Sequence, residues 1–467
     1  MQIYNTLTKR KEEFKSIEPS KITMYVCGPT VYDYFHIGNA RTFIMTDVIR
    51  RYFGYKGYDV TYAMNLTDVD DKIIKKSNEE GITPDDVADK FIDAFFEDIE
   101  KLKVKKANIY PKATKHMGDI IKLIKDLEDK GFAYNVDGNV FYNVKKFEGY
   151  GKLSGKNVDD LLSGARIEIN NEKDNPLDFA LWKKAKDGEP SWDSPWGKGR
   201  PGWHIECSAM SMKHLGETID IHAGGNDLVF PHHENEIAQS EACTSKQFVN
   251  YWMHFGFLNI KDEKMSKSLG NFFTARDILK QYSAEVIRLF LCQTHYAGPL
   301  NFSEEGLKST ENGLKKITLL AEEVLKGLDN SEGVKPEFDF DSLYASFETA
   351  MDDDFNSSRG VAVIFDFVKA VNKVIAENEN ISPEFFEKAK LFLEKTAVGV
   401  FGILDFNSIS ISSGGSLENE LVELFIKMRT DAKTEKNWAL ADKIRDELKE
   451  IGIELKDSKT GTTFKKI

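Results

Sequence analysis

The sequence feature that most constrains the fold is the stretch 24–41. It opens with a short apolar run that ends in a thiol, and Gly28-Pro29 breaks that run. Apolar residues then recur at helical spacing until Gly54 and Gly57 end the pattern, and a second apolar run follows at 60–64. This order predicts a strand, a helix and a second strand parallel to the first, which is half of an open α/β nucleotide-binding fold.

Two short motifs point to a phosphate-bearing substrate. A helix that begins directly after a strand offers free backbone N–H groups and a positive dipole end to an anion, and His36 and Asn39 stand at this helix start. Far downstream, the apolar run 251–260, which predicts one strand, precedes the segment Lys264-Met265-Ser266-Lys267-Ser268. Each motif alone has an ordinary explanation, as a chance tetrapeptide or a solvated turn. Paired in one α/β domain, they resemble the two signatures of class I aminoacyl-tRNA synthetases.

Further segments narrow this resemblance to the cysteinyl-tRNA synthetase family. They are spread over most of the chain, in the order in which that family has them: Tyr25-Val26-Cys27-Gly28-Pro29-Thr30, Gly202-Trp203-His204-Ile205-Glu206-Cys207-Ser208-Ala209-Met210, Phe230-Pro231-His232-His233-Glu234-Asn235-Glu236 and Met351-Asp352-Asp353-Asp354-Phe355-Asn356. The resemblance implies an α/β fold with a Rossmann-like parallel-sheet catalytic domain and an insertion, then an all-α helical bundle and a small C-terminal domain. It implies a cysteine–tRNA ligase, in which ATP and L-cysteine give cysteinyl-adenylate and the acyl group passes to the 3′ end of tRNA(Cys).

Four residues form a candidate metal site. His232 and Glu236 are four positions apart on a predicted helix, so both side chains project from one face. Cys207 stands at the start of another predicted helix and Cys27 ends the first strand, so all four meet if the two halves form one sheet. Two sulfurs, an imidazole and a carboxylate suit tetrahedral zinc. A buried core histidine with two unrelated cysteines explains the same residues, and His233 is a rival ligand by spacing. The resemblance implies that Cys27, Cys207, His232 and Glu236 hold one zinc ion.

A zinc ion would also explain how such an enzyme selects its substrate. Zinc binds a thiolate tightly and a hydroxyl weakly, so a single contact separates cysteine from serine or alanine. Selection of this kind makes a hydrolytic editing domain unnecessary. The insertion, at about 110–200, is too short to contain one.

The resemblance also assigns residues to the two substrates. Activation develops charge on the phosphates of ATP, so catalysis needs positioned cations and donors. The residues implied for catalysis are His36, Asn39, Lys264 and Lys267. The same four residues and Ser266 are implied to bind ATP, which comes with Mg²⁺. The family commonly has His at the place of Asn39, whose amide donates a hydrogen bond but carries no charge. The residues implied for the amino acid are Gly28, Thr30, Thr67, Trp203 and Asp227, with Asp227 as the ammonium partner and Trp203 closing the pocket.

Composition shifts divide the rest of the chain. We expect a catalytic domain at 1–274, a helical bundle for the anticodon arm at 275–405, a linker at 406–417 and an anticodon-recognition domain at 418–467. Phe464, in the last of these, stands where the family often has Trp, and either ring can stack on a base.

The net charge and the cysteine content limit the kinds of partner and cross-link that we expect for this chain. A net charge of -13 argues against a broad basic surface, without excluding a tRNA ligand. No apolar run approaches the ~18 residues of a membrane helix, and the N-terminus lacks the apolar core of a signal peptide. We therefore expect a cytoplasmic monomer with no membrane partner. The four cysteines are too few for a disulfide scaffold, and Cys243 and Cys292 are expected to be helical core residues.

Two alternative functions stay open. One is the paralogue that attaches activated cysteine to an amino-sugar in thiol biosynthesis, although that enzyme lacks the anticodon-reading tail. The other is a synthetase-like binding protein without turnover, which the presence of His36, Lys264 and Lys267 disfavours.

Overall fold

In the computed structural model of the protein, residues 1–156, 172–260, 263–264, 273–409, 417–458 and 461–466 are described. They form two compact units, Met1–Phe406 and Asn407–Ile467. The first unit contains, in chain order, β1 (Gln2–Asn5), β2 (Arg10–Glu13), β3 (Lys21–Val26), α1 (Ile37–Tyr55), β4 (Asp59–Met64), α2 (Asp71–Glu80), α3 (Pro84–Lys101), α4 (Met117–Asp129), β5 (Ala133–Val136), β6 (Asn139–Tyr142), β7 (Phe179–Lys184), β8 (Gly199–Pro201), α5 (Trp203–Leu215), β9 (Ile219–Gly225), α6 (Glu234–Thr244), β10 (Val249–Phe255), β11 (Leu258–Ile260), β12 (Glu263–Lys264), α7 (Ala275–Leu279), α8 (Ala284–Cys292), β13 (Leu300–Phe302), α9 (Glu304–Gly327), α10 (Phe340–Asp352), α11 (Ser357–Glu377) and α12 (Pro383–Leu393). Among the described residues, none of the helices has the length and apolar character needed to cross a membrane.

A four-stranded parallel sheet lies at the centre of the first unit. Its strand order is β10-β9-β3-β4, and the two halves of the fold join where β3 pairs with β9. Most residues of β3 and β9 are buried, as expected for parallel strands that are covered on both faces. The predicted strand–helix–strand unit is confirmed as β3, α1 and β4, and Gly57, with a positive φ of 87°, follows the end of α1.

Between these halves the chain forms a different layer. Strands β5, β6, β7 and β8 make an antiparallel four-stranded sheet in that order. Its buried residues share a hydrophobic core with α4 and α5, including Tyr142, Trp182 and Ile205. The sequence predicted strand-like pieces in this insertion, and the sheet accounts for them.

The strand predicted at 251–260 is wrong as one element. It divides at Gly256 into β10, in the central sheet, and β11, which pairs with β12 and β13 in a small separate sheet. The division follows from a long-range contact, because the Gly256 N–H donates to the Tyr296 carbonyl at 2.9 Å. Arg41 donates to the carbonyls of Gly256 and Phe257, so the backbone here bonds outside the central sheet.

Helices dominate the remainder of the first unit. The sequence predicts a helical bundle at 275–405, and its apolar-periodic stretches 314–328 and 362–375 fall almost entirely in α9 and α11. A buried ion pair joins α8 to α1, since Arg288 Nη2 donates to Asp47 Oδ2 at 2.7 Å. Contacts unite the catalytic region and these helices in one compact unit, and the domain boundary at 274 stays a prediction.

The second unit is small. It contains α13 (Leu417–Thr434), α14 (Trp438–Glu450), β14 (Ile453–Ser458) and β15 (Gly461–Lys466), and the two strands form an antiparallel hairpin. Val422, Ile444, Leu448 and Ile453 form its core, with Phe464 packed against them. Most of the predicted linker, at 410–416, lies outside the described residues.

Candidate active site and metal centre

The largest concentration of chemically active side chains lies at the carboxyl ends of β3 and β9. Parallel α/β folds bind ligands at such a switch point between two halves. A cavity of about 290 Å³ opens there, and its lining includes Cys27, Gly28, Thr30, His36, Asn39, Trp203, Cys207, Asp227 and His232. The fold therefore brings residues of both halves to one site.

His36 and Asn39 form the start of α1. The His36 Nδ1 atom accepts from the Asn39 N–H at 3.0 Å, and Asn39 Oδ1 accepts from the His36 N–H at 3.4 Å, which is a reciprocal capping box. An imidazole that accepts at Nδ1 carries its proton on Nε2. The His36 ring and the Asn39 amide therefore lie together at the start of α1, where the helix dipole stabilises an anion.

The two ends of the lysine motif are anchored beside this helix start. On one side, the backbone of Lys264 pairs with Asn259 of β11. On the other side, Thr274 forms an antiparallel bridge with His36, and the Ile37 N–H donates to the Phe273 carbonyl at 3.1 Å. The side chain of Lys264 and the whole of Ser266 and Lys267 lie outside the described residues.

Gly28, at the floor of the cavity, allows the backbone of Asn65 to approach closely. A Cβ atom on this residue would lie 1.8 Å from the carbonyl oxygen of Asn65, so no other residue fits without a backbone shift. The Gly28 N–H donates to Asn65 Oδ1 at 2.8 Å. Thr67 is buried behind the lining, where its hydroxyl accepts from Asn65 Nδ2 and contacts Glu206 Oε2 at 3.3 Å.

Asn65 and Lys72 line the cavity, and the sequence analysis missed both. Asn65 directly follows β4, and Lys72 lies in the first turn of α2. The position of Asn65 carried a usable signal, because residues after parallel strands collect at the ligand-binding edge of the sheet. Lys72 had no such signal, since a lysine early in a charged helix is usually solvated.

Cys27, Cys207, His232 and Glu236 converge as the sequence predicted. Their ligand atoms all lie within 4.8 Å of one another. The two Sγ atoms are 4.0 Å apart, Cys27 Sγ is 3.6 Å from Glu236 Oε1, and His232 Nε2 is 3.1 Å from the same oxygen. Sulfur at ~2.3 Å and nitrogen or oxygen at ~2.1 Å from a tetrahedral zinc are about 3.4–3.8 Å from each other. The four donors therefore fit zinc in number, chemistry and spacing.

A second set of donors shares two of these residues. Cys27, His222, His233 and Glu236 also lie within 4.8 Å of one another. His222 Nε2, however, is already hydrogen-bonded to Glu236 Oε2 at 2.8 Å, whereas His233 Nε2 lies 3.3 Å from Cys27 Sγ and its Nδ1 is bonded to His254. Both rings are fully buried, whereas Cys207 and His232 reach the cavity. The geometry thus favours the set that faces the cavity.

Two further histidines orient the donors. His204 Nδ1 is 2.8 Å from His232 Nδ1, which leaves Nε2 of His232 directed at Glu236. His222 holds the second carboxylate oxygen of Glu236, so the first oxygen points to the cysteines. Such outer hydrogen bonds fix the orientation of metal ligands. His222 lies within β9, and no pattern in the sequence connects it with Glu236.

The electrostatics of the cluster favour a bound cation. The hydrogen bond from Cys27 lowers the pKa of Cys207 to about 6, so this thiol is ionised at neutral pH. Burial alone would raise the pKa of Glu236, but His222 and His232 hold it at about 2. Burial alone would lower the pKa of His232, but Glu236 and Cys207 raise it to about 10. At neutral pH a protonated His232 therefore balances the charges of Cys207 and Glu236, and a zinc ion would take the place of that proton.

Two helix boundaries differ from the prediction. The helix expected to start at Cys207 begins at Trp203, because Gly202 in an extended conformation ends the preceding strand segment and acts as the N-cap. His232 precedes α6, in the turn Val229–His233, because Phe230 is extended and Pro231 follows it. Neither change separates the ligands.

Trp203 and Asp227 stand at the mouth of the cavity. Trp203 is 42% exposed and its ring centroid is 4.2 Å from that of His232. Asp227 is exposed in the short turn that follows β9. Both positions are compatible with contact to a small molecule beside His232. Cys243 and Cys292 lie in α6 and α8, partly and fully buried, as expected for core residues.

Comparisons with known proteins agree on one family. The family model "tRNA synthetases class I (C) catalytic domain" matches residues 13–312, and the "DALR domain" model matches residues 346–405. A cysteine--tRNA ligase of Clostridioides difficile (strain 630) is 51% identical over 474 residues, covering 100% of both chains. A cysteine--tRNA ligase of Thermococcus gammatolerans is 50% identical over 475 residues, covering 100% of this chain and 99% of the relative.

Solved structures share the fold at low sequence identity. Mycobacterium tuberculosis methionyl-tRNA synthetase bound by methionyl-adenylate matches with a TM-score of 0.61 and 16% identity, covering 80% of this chain and 92% of that one. The LeuRS of Agrobacterium radiobacter K84, in a ternary complex, matches with a TM-score of 0.59 and 12% identity, covering 83% and 85%. At these identities the likeness concerns the fold alone.

Proposed function

The chain belongs to the cysteine--tRNA ligase family of class I aminoacyl-tRNA synthetases, and we propose that the cavity at the ends of β3 and β9 is its cysteine-activation site. ATP and L-cysteine react there to give cysteinyl-adenylate and pyrophosphate. The cysteinyl group then passes to the 3′ end of tRNA(Cys).

The observation that carries this proposal is the shared lining of the cavity. Cys27, Cys207 and His232 line the same cavity as His36 and Asn39 at the start of α1. A thiol-selecting centre and a phosphate-binding helix start therefore face one space, as a reaction between a cysteine carboxylate and an ATP α-phosphate requires.

Cys27, Cys207, His232 and Glu236 are the residues that would hold zinc. A bound zinc ion would supply a site for the substrate thiolate, which a hydroxyl or methyl group occupies poorly. His204 and His222 keep two of these ligands in orientation through the 2.8 Å hydrogen bonds to His232 and Glu236. The rigid cluster thereby fixes where a cysteine side chain can lie.

Other residues along the cavity are proposed to bind the remaining groups of the cysteine substrate. Asp227 is the proposed partner of the substrate ammonium, and Trp203 covers the amino acid beside His232. Gly28 and Thr30 are proposed to help hold the amino and carboxyl groups of the substrate, and Gly28 permits the close approach of the Asn65 backbone at the floor of the cavity. Thr67 contributes by holding Asn65, whose amide oxygen accepts the Gly28 N–H.

The phosphates of ATP would meet donors from both motifs. His36 Nε2 and the Asn39 amide lie at the positive end of α1, where an anion is stabilised. Lys264, Ser266 and Lys267 belong to the segment that joins β12 to the Thr274 bridge, and they would neutralise charge on the departing pyrophosphate. We expect Mg²⁺ to accompany ATP.

The acceptor and the cellular setting complete the proposal. The helices α7 to α12 are proposed to bind the anticodon arm of tRNA(Cys), and the second unit is proposed to read the anticodon. A monomeric state and a cytoplasmic location stay predictions. Neither the amino-sugar ligase nor a protein without turnover is favoured by any observation on the chain.

Serine substitutions test the metal set. In Cys27→Ser and in Cys207→Ser, we expect the zinc content measured by mass spectrometry and the cysteine-dependent ATP–pyrophosphate exchange to fall together. Cys243→Ser and Cys292→Ser are matched controls that should keep both. To separate the two histidines, His232→Gln should lose zinc and His233→Gln should keep it. Full zinc content and unchanged selectivity against serine in Cys27→Ser and Cys207→Ser would contradict the proposal.

A further inference from the structure

We propose that Arg41 and Asp354 are positioning residues for ATP, although neither lines the cavity. Together they fix the loop 294–298, here called the bridging loop, and this loop fixes the cavity wall formed by Gly256, Phe257 and Leu258. The identity of the ligand rests on the proposed function, because this wall lines the same cavity as His36 and Asn39, which are proposed to bind ATP.

Arg41 holds the wall and the bridging loop at the same time. Its Nη1 donates to the carbonyls of Gly256 and Phe257 at 2.9 and 3.0 Å. Its Nη2 donates to the carbonyls of His295 and Gly298 at 3.0 and 2.6 Å. A planar guanidinium can make these four bonds from one plane, whereas a lysine ammonium has three donors at one point.

The surroundings of Arg41 argue for a positioning role. The residue is 1% exposed, and all four acceptors that it contacts among the described residues are backbone carbonyls. Burial lowers the pKa of Arg41 to about 10, which still leaves it protonated at neutral pH. A buried cation bound only to neutral acceptors is a costly way to stabilise a fold. Its specific effect is to fix two backbone segments relative to each other.

The wall and the bridging loop also touch directly. The Gly256 N–H donates to the Tyr296 carbonyl at 2.9 Å, and the Leu300 N–H donates to the Phe257 carbonyl at 3.0 Å. A Cβ atom on Gly256 would lie 2.3 Å from the Gly298 carbonyl oxygen. A shift of the bridging loop therefore moves the wall, and with it the start of β11, which pairs with the backbone of Lys264 in β12.

Asp354 holds the bridging loop from the helical side. Its carboxylate accepts from the Tyr296 hydroxyl at 2.8 Å, and its backbone carbonyl accepts from His295 Nε2 at 2.8 Å. The same carboxylate accepts from the Tyr4 N–H at 2.8 Å, and the residue is 2% exposed. Asp354 and Phe355 have φ values of 62° and 51°, a left-handed conformation that is unfavourable for residues other than glycine. The contacts to the bridging loop help to maintain this turn.

Through these contacts the motif Met351–Asn356 affects the position of the ATP site, although it does not line the cavity. The motif lies between α10 and α11, yet its central residue bonds the segment that packs on Gly256 and Phe257. The loss of either Arg41 or Asp354 should loosen the same wall. ATP binding should weaken in both cases, while the cysteine and zinc contacts should remain, because the described hydrogen bonds of Arg41 and Asp354 reach none of the four zinc residues.

The test compares two conservative variants with two matched controls. Arg41→Lys keeps the positive charge but loses the planar guanidinium and its two terminal nitrogen donors. Asp354→Asn keeps the shape of the side chain but loses its negative charge. Arg51→Lys is the control on α1, where the guanidinium binds Asp47, and Asp353→Asn is the control in the motif, where the carboxylate binds Lys11. Measurements are the ATP dissociation constant by calorimetry, the KM values for ATP and cysteine in pyrophosphate exchange, zinc content and the urea midpoint of unfolding.

We expect Arg41→Lys and Asp354→Asn each to weaken ATP binding by about tenfold, the effect of a lost hydrogen bond to a charged group. The KM for cysteine and the zinc content should stay at wild-type values, and both controls should bind ATP normally. Wild-type ATP affinity in the two variants would overturn the inference. An equal rise of both KM values together with a lower urea midpoint would also overturn it, since that pattern is a general loss of structure. A wild-type protein that binds ATP but exchanges no pyrophosphate would instead refute the proposed function, and the calorimetric comparison would still decide this inference.

Discussion

Replacing His222 by leucine should weaken zinc binding by about 10–100-fold, the usual effect of losing a hydrogen bond to a metal ligand. His222 Nε2 lies 2.8 Å from Glu236 Oε2, and both side chains are fully buried. A hydrogen bond to a charged group contributes about 1.5–3 kcal/mol, and about 1.4 kcal/mol corresponds to a factor of ten. Leucine keeps the packing against Trp252 but leaves one carboxylate oxygen without this donor.

The assay is a competition titration of zinc against a chromophoric chelator at neutral pH. His222→Gln is the rescue variant, because a glutamine amide can place its N–H near the position of Nε2 and should restore most of the affinity. His214→Leu is the control, because His214 pairs with His116 away from the cluster. Unchanged zinc affinity in His222→Leu would refute the reasoning. Equal losses in the leucine and glutamine variants would show that packing, and not the hydrogen bond, matters.

Three other changes test the account at separate places. Asp47→Asn removes the buried charge shared by Arg51 and Arg288, and we expect a loss of about 3–5 kcal/mol of stability in urea unfolding, with Asp59→Asn as the exposed control. Glu285→Gln should lower stability at neutral pH: burial alone would raise the pKa of Glu285, but Lys103 holds it below its ordinary value. The ionised Glu285 therefore stabilises the fold above about pH 4.3, and this contribution is lost as the pH falls below that value. The difference between the variant and the wild type in the free energy of unfolding by urea should shrink as the pH is lowered to about 4 and below. Gly28→Ala should reduce pyrophosphate exchange by about 100-fold, because its Cβ would lie 1.8 Å from the Asn65 carbonyl oxygen and displace the floor of the cavity; normal exchange in this variant would contradict the close approach.

Local sequence patterns were enough to predict much of the fold. The apolar run before Gly28, the helical spacing after it and the run at 60–64 predicted β3, α1 and β4, because each depends on residues close in sequence. The same logic placed Cys27 at a strand end and His232 four residues from Glu236. Their convergence required only that both halves form one parallel sheet, which the β3–β9 pairing provides.

The interactions that the sequence did not reveal are long-range. The carbonyls that bind Arg41 belong to residues 215 to 257 positions further along the chain, and no periodicity points to them. The division at Gly256 depends on those same contacts, so the predicted single strand at 251–260 could not have been corrected from the local sequence. His222 carried no signal either, since a histidine within a buried strand is usually an ordinary core residue.

Cysteine-dependent ATP–pyrophosphate exchange, with and without removal of zinc and with serine as the competing amino acid, tests the central claim most directly. The account predicts exchange that requires zinc, saturates with cysteine and does not respond to serine. If the zinc-replete protein exchanges no pyrophosphate with cysteine, or accepts serine equally well, then the cluster of Cys27, Cys207, His232 and Glu236 does not select the substrate thiol.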